Sequence, residues 1–223
     1  ASAGGIEALQ ALFEALPTGL GLAYVVIVHL ATDHPSSLAD ILAARTSMPV
    51  RAVNATAALE RDHVYTNVPG RVLAFGHGAV TARPFTAPTD RWTPIDAFLR
   101  SLADAGVDTV AVILSGAGRD GAQGAGAIKQ AGGRVLVQEP AEAAYGTMPA
   151  AALATGVADV VAPVTELARW LETRVGSPRA RPRPLPEDDL APLLRLLRRR
   201  TGHDLSTYKP ATIRRRVARR MQV

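Results

Sequence analysis

Across the first 175 residues, runs of β-branched and other apolar residues stop at small or polar positions. They give way to stretches in which apolar side chains recur every three or four residues. This alternation constrains the fold more than any other feature. A run that is apolar at every position suits a strand buried on both faces, and such a strand needs helices above and below it. The spacing predicts strands over 22–30, 109–114 and 134–138, with shorter strand-like pieces in 50–75 broken by Asn67, Pro69 and Gly70. It predicts helices over 6–16, 35–45, 94–105, 121–131 and 164–174, with Asp33 a candidate N-cap for the second and Pro94 opening the third. The expected class is α/β: a doubly wound, mostly parallel sheet with helices on both faces, followed by a linker and a small helical segment.

Composition divides the chain. Residues 1–175 form the first unit, 176–187 a Pro/Arg-rich linker with no apolar face to bury, and 188–223 a small helical segment. In the last of these, Leu190, Leu193, Leu194 and Leu197 make an apolar stripe, and Arg214, Arg215, Arg216, Arg219 and Arg220 crowd a second helix. The net charge of +5 conceals an asymmetry: residues 1–175 carry 12 basic and 16 acidic side chains, whereas residues 188–223 carry 10 and 3. Attraction for an acidic partner therefore belongs to the tail. Tyr208 is the tail's sole aromatic, which gives no stacking platform, and nucleic acid is not the expected partner.

The chain has no cysteine, so disulfides and thiolate metal sites are excluded. That composition fits a cytoplasmic location. No apolar run approaches the roughly 20 residues of a membrane span, so direct membrane insertion is not expected. No basic segment followed by an apolar one opens the sequence as an export leader would.

Three places can carry chemistry, each at a strand end or a helix start, where open parallel sheets bind their ligands. Ser2, within Ala1-Ser2-Ala3-Gly4-Gly5, precedes a helix in a run small enough for a tight turn that exposes the hydroxyl. His29 closes a β-branched run and could take a proton from such a hydroxyl. Asp120, in Ser115-Gly116-Ala117-Gly118-Arg119-Asp120-Gly121, follows a strand and could orient an imidazole. Taken singly, Ser2 also reads as a helix N-cap and His29 as a hydrogen-bonded core histidine. The third stretch also matches G-x-G-x-x-G at Gly116, Gly118 and Gly121, with Glu139 beyond it, which is a dinucleotide-binding pattern. Against that reading, Asp120 would set a carboxylate beside a pyrophosphate.

Together the three motifs resemble, in order, those of the CheB-type protein-glutamate methylesterase catalytic domain. Asp62-His63-Val64-Tyr65, Pro94-Ile95-Asp96-Ala97-Phe98-Leu99 and Gly146-Thr147-Met148-Pro149-Ala150 agree with it, so the likeness covers residues 1–163. The resemblance implies a Ser2–His29–Asp120 triad that hydrolyses glutamate γ-methyl esters on the cytoplasmic domain of a methylated chemoreceptor, and that can deamidate glutamine. It implies no metal or cofactor. The family turn often has Thr and Met where this chain has Ala3 and Ala117, and both are expected to serve as oxyanion donors through backbone N–H groups. The stretch Arg200-Thr201-Gly202-His203-Asp204-Leu205-Ser206-Thr207-Tyr208-Lys209-Pro210 resembles the small N-terminal helical domain of CheR-type receptor methyltransferases. The five tail arginines are then expected to dock the receptor's acidic methylation region. The sequence holds no S-adenosylmethionine-binding domain and no receiver domain, and neither methyl transfer nor phosphorylation control is expected of these residues. A receptor-docking segment with an idle triad is the other alternative.

Overall fold

The computed structural model describes residues 1–32 and 34–175. The linker, the 188–223 segment with its five arginines, and Asp33 lie outside the described residues. Six helices and nine strands alternate along the described chain: α1 (Gly5–Ala15), β1 (Ala23–Val26), α2 (Leu38–Ala43), β2 (Val50–Ala52), β3 (Thr56–Ala58), β4 (His63–Thr66), β5 (Arg71–Gly76), β6 (Ala79–Pro84), α3 (Pro94–Ala105), β7 (Val110–Ile113), α4 (Ala122–Gln130), β8 (Arg134–Gln138), α5 (Thr147–Ala154), β9 (Val160–Ala162) and α6 (Val164–Val175). A short 3-10 turn, Pro88–Arg91, precedes α3.

The strands form two parallel sheets, ordered β1-β4-β2 and β7-β8-β9, and one antiparallel sheet, β3-β6-β5. The α/β class with mostly parallel pairing therefore holds. Side chains alternate between two cores, as the two-residue period of a strand requires. Val26, Val28 and Leu136 face the core built with α1, α2 and α6. Ile27, Val135 and Val137 face the opposite core, with Phe98 and Leu102 of α3, Ile128 of α4 and Ala152 of α5. This two-sided burial is what the uninterrupted apolar runs specify. Each fully buried aliphatic such as Leu42, Leu136 or Leu167 contributes about 2 kcal/mol of transfer free energy.

Two elements follow the predicted bounds: α3 and β8. Others differ. The run 22–30 pairs as a strand only over Ala23–Val26, and the helix expected over 35–45 is confined to Leu38–Ala43. Ser37 occupies the N-cap of α2 without a side-chain cap bond, while the Ser36 hydroxyl accepts from the Leu38 N–H at 3.2 Å. The β5–β6 hairpin closes through His77-Gly78, both at positive φ (51° and 81°), the backbone a two-residue hairpin loop favours because its twist matches that of the strands.

Candidate active site

His29 lies just beyond β1, where the strand has lost its ladder partner. A side chain takes over the pairing. The Asn67 Oδ1 accepts from the Val28 N–H at 3.0 Å, and its Nδ2 donates to the Val28 carbonyl at 2.9 Å. The Asn67 N–H donates to the Val26 carbonyl at 3.2 Å. Asn67 is only 5% exposed, so its amide meets both backbone groups of the residue before His29 much as a neighbouring strand would. The histidine backbone is thereby fixed where the sheet stops.

Asp120 sits in the turn before α4, its side chain 3% exposed against 22% for His29. Its Oδ2 lies 3.0 Å from His29 Nε2. The same oxygen accepts from the Ile95 N–H at 2.9 Å, and Oδ1 accepts from the Asp96 N–H at 2.8 Å. These two donors open α3. Pro94 precedes them and has no N–H, so Ile95 and Asp96 are the first free donors at the positive end of the helix dipole. With Nε2 facing the carboxylate at 3.0 Å, Nδ1 is the ring nitrogen left open to take a proton. Among the described residues, no hydrogen bond occupies Nδ1.

Asp96 repays the arrangement in the other direction. Its Oδ1 accepts from the Gly121 N–H at 3.0 Å and the Gly124 N–H at 2.6 Å, at the start of α4. Burial pushes the Asp96 carboxyl above the usual carboxylate range, the Gly124 N–H opposes the shift, and the nearby Asp120 charge adds to it. Asp120 thus caps α3, the helix that carries Asp96, and Asp96 caps α4, the helix that follows Asp120.

Ser2 lies in the tight turn that opens α1, its carbonyl accepting from the Gly5 N–H at 2.8 Å. The Ser2 N–H donates to the Ser115 carbonyl at 2.9 Å, and the Ala1 nitrogen to the Ile27 carbonyl at 3.1 Å. Residues 1–2 therefore run alongside the ends of both β1 and β7. Ser115, fully buried, braces the turn: its hydroxyl donates to the Ala3 carbonyl and accepts from the Tyr145 N–H, both at 3.0 Å, and its N–H donates to Gln138 Oε1 at 2.8 Å. A Cβ built on Gly116 would meet Ser2 Cβ at 3.0 Å and Met148 Sδ at 2.1 Å, so only glycine lets the backbone after β7 approach the Ser2 turn.

The expected residues are not all joined. His29 and Asp120 are in direct contact. Ser2 Oγ makes no hydrogen bond to His29, nor to any other group among the described residues. Ala3 and Ala117 are exposed, and among the described residues the N–H of neither is hydrogen-bonded. One follows Ser2 directly; the other follows Gly116, whose backbone abuts Ser2. A shallow open depression beside His29 is lined in part by Asn67, Pro69, Arg71 and Arg91. Among the described residues, no group of three His, Asp or Glu side chains is arranged to hold a metal ion, and no helix is long and apolar enough to cross a membrane.

The dinucleotide pattern meets an occupied helix start. The Gly121 and Gly124 N–H groups that would receive a pyrophosphate already donate to Asp96, and Gly116 is packed under Met148. Asn67, Ser115 and the Asp96 side chain were not singled out by sequence as parts of the site. Asn67 read as a strand breaker, Ser115 as the first residue of a glycine-rich turn, and Asp96 as one residue of a matching stretch. The local signal was present for Asp96, a carboxylate just after a helix-opening proline.

A sequence profile described as CheB methylesterase matches residues 1–171. The chain belongs to the CheB methylesterase family. Residues 188–223 match a second profile, the all-alpha domain of CheR methyltransferases. Protein-glutamate methylesterase/protein-glutamine glutaminase 3 of Anaeromyxobacter dehalogenans is 38% identical over 178 residues, covering 77% of this chain and 52% of the relative. An uncharacterized 104.1 kDa protein of Rhodobacter capsulatus is 31% identical over 217 residues, 83% of this chain but 22% of that protein. The crystal structure of the Thermotoga maritima CheB methylesterase catalytic domain superposes with a TM-score of 0.69 at 27% identity, covering 78% of this chain and 94% of that one. The chain thus spans about half the length of the methylesterase relatives it matches. The family expected from the three motifs holds, and so does the join to a methyltransferase helical domain.

Proposed function

We propose that residues 1–175 are a methylesterase catalytic unit that hydrolyses glutamate γ-methyl esters on chemoreceptors to glutamate and methanol, in chemotaxis adaptation. By the same acyl chemistry the unit deamidates selected glutamines. The observation that carries this reading is the His29–Asp120 pair, its carboxylate held by two helix-start N–H groups, at the strand ends that flank the Ser2 turn.

In the proposed cycle, Ser2 Oγ attacks the ester carbonyl while His29 Nδ1 takes the hydroxyl proton. Asp120 stabilises the imidazolium through Nε2–H, and the Ala3 and Ala117 N–H groups hold the oxyanion. Collapse of the intermediate breaks the C–O bond to methoxide, which leaves with the proton from His29 as methanol. Water then attacks the acyl-serine, giving its proton to His29, and collapse returns that proton to Ser2 and frees the glutamate γ-carboxyl group. The chemistry requires no metal or cofactor.

Residues 176–187 serve as a linker, and residues 188–223 as a partial methyltransferase helical domain whose Arg214, Arg215, Arg216, Arg219 and Arg220 attract the acidic methylation region of the receptor. The proposed setting is the cytoplasm, with the receptor's cytoplasmic domain as partner. A serine-directed phosphonate should label the wild-type chain, label His29→Ala far more slowly, and leave Ser2→Ala unmodified. Labelling that persists in Ser2→Ala, or its absence from the wild type, contradicts the proposal.

A further inference from the structure

We propose that Asp96 is a positioning residue for Asp120, acting through one carboxylate oxygen rather than through its charge; this rests on the triad reading above. The two carboxylates are wired reciprocally. Asp120 takes its orientation from the Ile95 and Asp96 N–H groups of α3, at 2.9 and 2.8 Å. The Asp120-Gly121 turn is in turn tied to α3, because Asp96 Oδ1 alone receives both the Gly121 and Gly124 N–H groups, at 3.0 and 2.6 Å. The result is a closed ring of hydrogen bonds between two helix starts, with His29 Nε2 lying 3.0 Å from its Asp120 corner.

Helix capping does not require this arrangement. A serine or threonine could cap either helix without placing a second buried carboxylate beside Asp120. The Asp96 side chain is nearly sealed, at 4% exposure for the residue, so its burial beside a like charge is costly and the backbone donors must offset it. What the ring supplies is a fixed direction for Asp120 Oδ2. A displacement near 1 Å in such a group costs on the order of a hundredfold in rate. The charged groups that act on Asp96 are Asp120, across the ring, and Arg100 of its own helix.

Two variants separate the possibilities. Asp96→Asn keeps an oxygen where Oδ1 accepts both bonds but removes the charge. Asp96→Glu keeps the charge but moves the oxygens by one methylene. On the full chain, with ester turnover scaled to folded protein, Asp96→Asn should stay within about threefold of wild-type kcat, and Asp96→Glu should lose about tenfold or more with KM little changed. The downfield Nε2–H proton of His29, read by NMR, should persist in Asp96→Asn and be lost or displaced in Asp96→Glu. The reverse order of the two variants would show that the charge matters and would overturn the proposal. So would wild-type kcat and an unmoved proton in a folded Asp96→Glu, because Asp96 would then be only a structural cap. If the wild-type chain hydrolyses no ester, the triad reading fails while the NMR comparison still decides whether Asp96 positions Asp120.

Discussion

The two halves of the site are built differently. On the acid–base side, both Asp120 oxygens accept from helix-start N–H groups, His29 Nε2 lies 3.0 Å from one of them, and the side chain is almost sealed from water. On the nucleophile side, Ser2 is held through its backbone alone: its N–H reaches Ser115, its hydroxyl has no partner among the described residues, and the N–H groups of Ala3 and Ala117 beside it stand unbonded. The contrast fits what the proposed triad asks of each half. A carboxylate that stabilises charge works best when its surroundings are fixed in advance. A hydroxyl and two donors that receive a substrate must be open before it arrives, and catalytic hydrogen bonds that are loose without substrate tighten when it binds.

The comparison can be broken most severely at the nucleophile. Ser2→Ala should cut ester turnover by at least about a thousandfold with no change in folding, since no group among the described residues bonds the hydroxyl. Next comes the brace behind His29. Asn67→Leu strands both backbone groups of Val28, and should cost about 2–3 kcal/mol of stability and on the order of a hundredfold in kcat as the imidazole shifts. Denaturant unfolding and single-turnover kinetics would measure the two effects.

A smaller loss is expected at the brace behind Ser2. Ser115→Ala removes bonds to the Ala3 carbonyl and the Tyr145 N–H but spares the backbone bond to Ser2, so about tenfold in kcat and about 1–2 kcal/mol are expected. A Ser115→Ala loss that matches Asn67→Leu would mean the nucleophile side is as tightly pre-set as the acid–base side, and would erase the contrast drawn above.

The smallest effect serves as a control away from the site. Arg83 bonds Asp90 through both carboxylate oxygens, at 2.7 and 2.9 Å, and with the Thr86 and Ala87 N–H groups it holds the Asp90 carboxyl well below the usual carboxylate range. That contribution to stability is fully present above about pH 4 and is lost as pH falls through the lower folded value. Because Arg83 is nearly half exposed and its charge is screened, Asp90→Asn should cost only ~1 kcal/mol at pH 7, less as the pH falls well below 4, and should leave kcat unchanged. Thermal unfolding at pH 7 and pH 3 would check the direction.

Much of this architecture was legible in the sequence. The bounds of α3 followed from its opening proline and 3.6-residue stripe, and those of β8 from the apolar Val135-Leu136-Val137 set between Arg134 and Gln138. The Ser2, His29 and Asp120 motifs each fell at an element boundary, where local rules are informative. What escaped shares a physical cause. The helix α5 is apolar on nearly every side because it packs among α4, β7 and β8, so it shows no stripe. The extension of β1 toward His29 is held by a side chain 39 residues away, and Ser115 meets Ala3 across 112 residues. Contacts of that span leave no period in the sequence. The mutual capping of α3 and α4 was half visible, as a carboxylate after Pro94 and another before Gly121, but its reciprocity exists only once the helix starts are brought together.

The central claim is that Ser2, served by His29 and Asp120, is the nucleophile of a glutamate methylesterase. The most direct measurement is methanol release from methylated receptor cytoplasmic domain, by this chain and by Ser2→Ala at equal folded concentration. The account predicts release that accompanies loss of glutamyl methyl esters and vanishes in Ser2→Ala. Equal release from both forms, or none from the wild type, would contradict it.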